Sequence, residues 1–184
     1  MNTRPAALAV VALLAAFGVS RSARASVVVP QTLEQLARRA TAVVRGVVVA
    51  QAASVDPATR RSVVGSTVRV VERWKGAPPD VIEVRQLGRF GRGGKLALVE
   101  GDARLTPGED VVLFLAEGRG AEAGVWFILG FAQGKLAVRR DPRGVERLER
   151  ENGGLGFVGG KIEAQPTRLP DVAALVRRVA AETP

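Results

Sequence analysis

The run Ala42-Val43-Val44-Arg45-Gly46-Val47-Val48-Val49-Ala50-Gln51 constrains the fold more than any other stretch of the chain. It is nearly continuous in valine and alanine, interrupted by Arg45 and Gly46. A strand buried on one face alternates apolar and polar residues, whereas a strand covered on both faces does not. The run therefore reads as a strand with packing on each side. Gly46 in its middle marks a bulge or bend, through which the strand passes from one layer into another. The long first strand of a small closed barrel has these properties.

Ahead of that strand, residues 1–25 read as a signal peptide. Arg4 supplies the positive charge, Ala6 to Val19 is an apolar run without a charge, and Ala23-Arg24-Ala25 is a small-x-small cleavage site. The apolar run is short for a membrane span, and no cysteine follows to take a lipid. The expectation is a secreted or periplasmic protein that begins at Ser26 and has no stable membrane insertion after processing. Removing 25 of the 184 residues leaves 159, enough for one domain (26–184) with a real core. Three of the 27 basic residues leave with the leader and none of the 18 acidic ones, so the excess falls to +6. An excess of that size suits an anionic partner, but the favoured explanation is compositional, a chain rich in Arg, Ala, Gly and Val.

Absent residue types narrow the chemistry. The chain has no cysteine and no histidine. Disulfides, thiol nucleophiles, Ser-His-Asp triads and the usual zinc sites are thereby excluded. No cofactor and no bound metal are predicted, and the protein is read as a non-enzyme.

Along the mature chain, Thr32 and Gln35 form a capping box for a short helix with Leu33, Leu36, Ala37 and Ala40 on its apolar stripe. A polar turn, Ser54 to Arg61, leads to a strand at Val63 to Trp74, with Val64, Val68, Val70 and Trp74 placed on one face. Val81 to Leu87 forms the third strand, with Ile82 and Val84 inward. A basic glycine loop follows at Gly88 to Lys95, then a short strand at Leu96 to Val99 and a turn at Thr106 to Glu109. Asp110 to Ala116 is again apolar on both sides. Val125 to Phe131 is the fifth strand, and Gly134 to Arg140 pairs with Val145 to Leu148. Residues 145–184 form a C-terminal extension. Glu151 to Gly160 is glycine-rich and irregular, and a helix near Pro170 to Ala180 presents Val172, Leu175, Val176 and Val179. The predicted fold is mainly β, a five-stranded Greek-key barrel of the OB type with a short N-terminal helix and a C-terminal helix. A β-sandwich is the alternative.

The order Ala42-Val43-Val44-Arg45-Gly46, then Val68 to Gly76 with its Glu72-Arg73-Trp74-Lys75-Gly76 end, then Gly108 to Leu115, resembles the netrin-like domains. These include the tissue inhibitors of metalloproteinases, which are OB barrels. The chain is also similar to a group of secreted bacterial proteins with the pattern Gly130-Phe131-Ala132-Gln133-Gly134-Lys135. The resemblance runs from about Ser26 to Val138. In the inhibitors, a Cys-x-Cys-Val-Pro type segment opens the mature chain, and its free α-amino group and first carbonyl chelate the protease's zinc. The resemblance implies that Ser26, Val27 and Val28, ahead of Val29-Pro30, occupy that place and bind a secreted metalloprotease. A free α-amine titrates near neutrality and has a lone pair to offer a metal. Ser26 and Val28 stand where the family has cysteines, so no disulfide fixes the segment here.

The alternative site is the loop Gly88-Arg89-Phe90-Gly91-Arg92-Gly93-Gly94-Lys95. Arg89, Arg92 and Lys95 beside one aromatic suit a polyanion such as nucleic acid or an acidic polysaccharide. The chain's few aromatics argue against nucleic acid, and Leu96 after Lys95 removes the phosphate-loop reading. Gly118 to Ala123 matches a dinucleotide fingerprint only as a string, since a strand follows where a helix is needed. Arg45 is predicted to pair with Glu72 or Glu83, or to face a ligand groove. Glu100-Gly101-Asp102 and Glu109-Asp110 are sparse candidates for calcium. Trp74 and Trp126 read as core or rim anchors. A serine–lysine catalyst needs Ser62 or Ser66 near Lys75.

Overall fold

A computed structural model describes residues 27–57, 59–150, 156–158 and 165–182, and in it the central run is covered on both faces from Ala42 to Val48, while Val49 and Ala50 are exposed. The predicted leader and Ser26 lie outside the described residues, as does most of Glu151 to Gly160. The strands are β1 (Val27–Val28), β2 (Ala42–Val55), β3 (Ser62–Lys75), β4 (Val81–Phe90), β5 (Leu96–Leu98), β6 (Asp110–Glu117), β7 (Val125–Ile128), β8 (Lys135–Arg140), β9 (Glu146–Arg150) and β10 (Gly156–Phe157). Two α-helices flank them, α1 (Leu33–Arg39) and α2 (Leu169–Glu182).

The fold is mainly β. Eight strands share one sheet in the order β2-β3-β4-β7-β6-β8-β9, with β5 paired to β4. β2 is also paired to β6, over Ala42–Val47 against Leu115–Asp110. The pairings β2-β3-β4-β7-β6 therefore return to the strand from which they start. Within this ring, β4 and β7 run parallel, and the other neighbours are antiparallel. β1 and β10 form a separate two-stranded parallel ribbon.

Two apolar clusters explain the double burial. One draws on all five ring strands: Ala42, Val44 and Val48 of β2, Val68 and Val70 of β3, Ile82 and Val84 of β4, Val111, Leu113 and Leu115 of β6, and Trp126 of β7. The other takes Val43 of β2 and Val112 and Phe114 of β6, and covers them with Leu33, Leu36 and Ala37 of α1 and Val172, Val176 and Val179 of α2. Successive residues of β2 and β6 thus serve different clusters, so neither strand alternates with polar residues. Each fully buried valine or leucine stabilises the fold by about 1.5–3 kcal/mol, which a chain without disulfides depends upon.

The β2–β3 register slips at Arg45/Gly46, where Gly46 faces Val70 and Arg45 faces Glu72. Val71 is the extra residue. A Cβ on Gly46 would lie 2.7 Å from Val68 Cγ1 and 2.8 Å from the Arg69 carbonyl oxygen, so glycine lets the strands close here. The slip corrects one sequence expectation. Val64, Val68 and Val70 do face inward, but beyond Val71 the parity reverses, and Trp74 packs in the helix-side cluster instead.

Other boundaries shift as well. β2 continues through Val55 into the expected Ser54–Arg61 turn, and β3 starts at Ser62, leaving the reversal to residues 56–61. β7 ends at Ile128 rather than Phe131, because Gly130 and Phe131 both take positive φ (67° and 60°) and begin a 3-10 turn, Phe131–Gly134. β4 runs on to Phe90, so the first three residues of the expected basic loop, Gly88 to Phe90, are strand. The α1 capping box forms as predicted: Thr32 Oγ1 accepts from Gln35 N–H (3.1 Å), and Gln35 Oε1 accepts from Thr32 N–H (2.9 Å). At the other end of α1, Lys75 Nζ donates to the carbonyls of Ala37 (2.8 Å) and Arg38 (3.2 Å). Among the described residues no helix is long and apolar enough to cross a membrane.

Candidate functional site

The start of the described chain is held to the body by side-chain amides. Gln133 is 1 % exposed. Its Oε1 accepts from Gln31 N–H at 2.7 Å, and its Nε2 donates to the Val29 carbonyl at 3.2 Å. One glutamine thereby engages the carbonyl of residue 29 and the N–H of residue 31, as a neighbouring strand does. Arg150 Nη1 donates to the Gln31 carbonyl (3.0 Å), and Leu33 N–H donates to Gln165 Oε1 (3.0 Å). Upstream, Val158 N–H donates to the Val28 carbonyl at 3.2 Å, next to the β1–β10 ribbon.

Local sequence sets this clamp. Gly130, at φ 67°, turns the chain sharply after β7. A Cβ at Gly134 would collide with the Leu129 carbonyl, so glycine allows the turn to close. Gln133 lies between the two and is carried inward. Sequence reading singled out Gly130 to Lys135 as a pattern without giving Gln133 a role.

The predicted zinc-chelating residues are thus partly located. Val27 and Val28 form β1; Ser26 lies outside the described residues. Val29 is 70 % exposed, so the segment is fixed through its backbone while a side chain faces solvent.

The basic residues lie elsewhere. Arg89 is in β4, where it faces Ala97 of β5, and Arg92 and Lys95 flank the turn, in which Gly93 and Gly94 have φ of 72° and 69°. All three cations are exposed, and Phe90 is partly so. None of the three is ion-paired among the described residues.

Arg45 is committed to structure. Its guanidinium meets Asp110 (Nη2–Oδ2 2.7 Å), Glu146 (Nη2–Oε1 2.8 Å) and Glu72 (Nη1–Oε1 3.3 Å). Glu72 is one of the two predicted partners; Glu83 instead accepts from Arg85. Glu72 also accepts from Trp74 Nε1 at 3.0 Å. Hydrogen bonding to Asp110, and then to Glu146, raises the Arg45 pKa against the opposing effect of burial. The same contact, followed by Arg140, holds the Glu146 carboxyl below the ordinary range.

Two further candidates dissolve. Glu109 pairs with the buried Lys135 (2.8 Å) and Asp110 with Arg45, so the Glu109-Asp110 carboxylates already have cations. Ser66 is buried and accepts from Gln51 Nε2 (3.0 Å), nine residues along β3 from Lys75, whose ammonium caps α1. At about 3.3 Å per residue the two are far out of reach, and Ser62 is farther still. No protein-family model matches this chain, and no curated protein matches it.

Proposed function

We propose that the protein is an exported, non-catalytic binding module that engages a protein partner through the start of its mature chain. On this reading the ring of five strands is an OB-type Greek-key barrel, a reading supported by the strand order and the one parallel pair, β4–β7. The partner is a secreted metalloprotease, and Ser26 offers its α-amine and carbonyl to the catalytic zinc, with Val27 and Val28 beside it.

One observation carries the proposal. Gln133 fixes Val29 and Gln31 from within the body, so an end without a disulfide is nonetheless anchored three residues after Ser26. Preorganisation of that kind lowers the entropy lost when a terminus docks. The test is an inhibition assay against a zinc endopeptidase such as thermolysin. Protein starting at Ser26 is expected to inhibit, one added residue before Ser26 to abolish inhibition, and Gln133→Ala to weaken it. Equal inhibition with and without the added residue would sink the reading.

The exposed, unpaired Arg89, Arg92 and Lys95 favour a second reading, a polyanion-binding module of the cell envelope. Retention on heparin that falls steeply with salt, and is lost on charge reversal at Arg89 and Arg92, is its signature.

A further inference from the structure

A cleft of about 340 Å³ opens where the β2–β3 turn, the end of β4, the end of β7 and the segment after β5 meet. Its volume lies in the range of small-molecule sites. Val63, Leu87, Val99, Phe127, Ile128 and Phe131 supply apolar walls. Leu87, Val99 and Phe131 are 41 %, 46 % and 44 % exposed, so large hydrophobic side chains ring an open mouth. Phe131 is held there at φ 60°, a backbone region that non-glycine residues seldom adopt.

The polar groups of the cleft divide into satisfied and unsatisfied ones. Arg85 is spent on Asp56 (3.0 Å) and Glu83 (3.0 Å). Asp56 also accepts from Thr59 N–H at 2.7 Å. That part of the wall is ion-paired and fixed. Asp102 differs: its carboxyl accepts from Ala103 N–H (2.9 Å) and from the Gln86 amide, and no cation among the described residues pairs with it. Burial pushes its pKa up, against those two hydrogen bonds. Gln86 is 4 % exposed and donates Nε2 to the Ala103 carbonyl (2.7 Å), while its Oε1 is buried without a partner. Glu122 adds a third carboxylate to the lining, which also includes Arg61. Among the described residues the wall therefore holds one amide oxygen that lacks a donor and a carboxylate that lacks a counter-charge, in a chain whose formal charge is +9, or +6 without residues 1–25. A polycationic segment would be repelled by that surrounding charge, whereas a single ammonium is not penalised in the same way.

We propose that this cleft binds a small apolar monoamine, its ammonium against Asp102 and its hydrocarbon body against Leu87, Val99, Phe127 and Phe131. The site is separate from the N-terminal segment and does not depend on the inhibitor reading.

Phenethylamine, the neutral phenethyl alcohol and the anionic hydrocinnamate differ mainly in the charge of one end, so titrating each into the ¹⁵N-labelled protein tests the idea by NMR. The amine is expected to give saturable shifts at Leu87, Val99, Asp102 and Phe131, with affinity about tenfold or more above the alcohol and higher again above the carboxylate. Asp102→Asn is expected to reduce the amine to the alcohol's affinity without lowering Tm. Phe131→Gly removes an aromatic wall and relieves the positive φ, so it is expected to weaken the amine with Tm unchanged or raised. Alcohol or carboxylate binding as tightly as the amine, shifts elsewhere on the surface, or no saturable shift at millimolar amine would overturn the proposal. Unchanged amine affinity in both variants would do so equally.

Discussion

Arg45, on the outer side of the ring, and Asp102, in the cleft, are both drawn into the body of the protein, yet their surroundings differ completely. Arg45 has Asp110, Glu146 and Glu72 within 3.3 Å, and Glu146 and Glu72 are themselves shared with Arg140 and Arg177. Asp102 has a neutral amide and one backbone N–H. A charge that the fold uses is surrounded by counter-charges that offset its desolvation. A charge left without them costs stability, and such residues concentrate where a protein binds or reacts.

The comparison can be broken by mutation. The largest loss is expected at Lys135, which is 1 % exposed and, like Arg45, fully partnered. Lys135→Ala leaves the Glu109 carboxylate with only the looser contact to Arg139 (3.8 Å) and should cost about 3–5 kcal/mol in urea unfolding. Arg45→Ala strands carboxylates that still see some solvent, so about 3 kcal/mol is expected, against about 1 kcal/mol for Glu72→Gln. If the Arg45 variant loses no more than the Glu72 one, the network is not structural.

Acidification sharpens the contrast. The folded Glu146 pKa lies below its ordinary value of 4.5, so the stabilisation it gives is complete above that pH and is lost as pH falls through the folded value. The penalty of Arg45→Ala should therefore shrink in acid, measured as the difference in unfolding midpoint. Asp102 carries the opposite sign. Its folded pKa lies above the ordinary 3.8, so ionisation costs stability at neutral pH, and protonation relieves that cost as pH falls. Asp102→Asn is expected to raise Tm slightly near neutrality, with the gain fading in acid. Asp56, Glu122, Arg61 and Arg85 face the same cleft in both proteins and cancel in the difference. A fall in Tm for this variant at neutral pH would place Asp102 with the structural charges.

Much of the fold was legible because its causes are local or periodic. Valine-rich β2 and β6 read as doubly covered, and β6 and the Ala42–Val48 half of β2 are. Thr32 and Gln35, three positions apart, carry their whole interaction in the sequence. The face of Trp74 was not legible, since one extra residue at Val71 reverses the alternation, and its place is fixed by how β2 and β3 close around Gly46. β7 stopped early because Phe131 adopts a φ that side-chain preference alone argues against. Of Arg45's partners, Glu72 could be named from the neighbouring strand, while Glu146 arrives from 101 positions away. Exposure of Arg89, Arg92 and Lys95 followed from the glycines around them. Gln133 escaped notice for a related reason: an amide that grips backbone 102 residues distant leaves no periodic trace.

β9 is the last strand in the order of the large sheet. β9 pairs with β8 on one side, and on its other side the Leu148 N–H donates to the Thr167 carbonyl at 2.6 Å, with Arg147 bridged to Arg168. The approach to α2 thus lies along the margin where a second molecule would otherwise lengthen the sheet. Anchored there by the burial of Val172, Val176 and Val179, the tail covers the margin from which stacked, fibre-like growth would start.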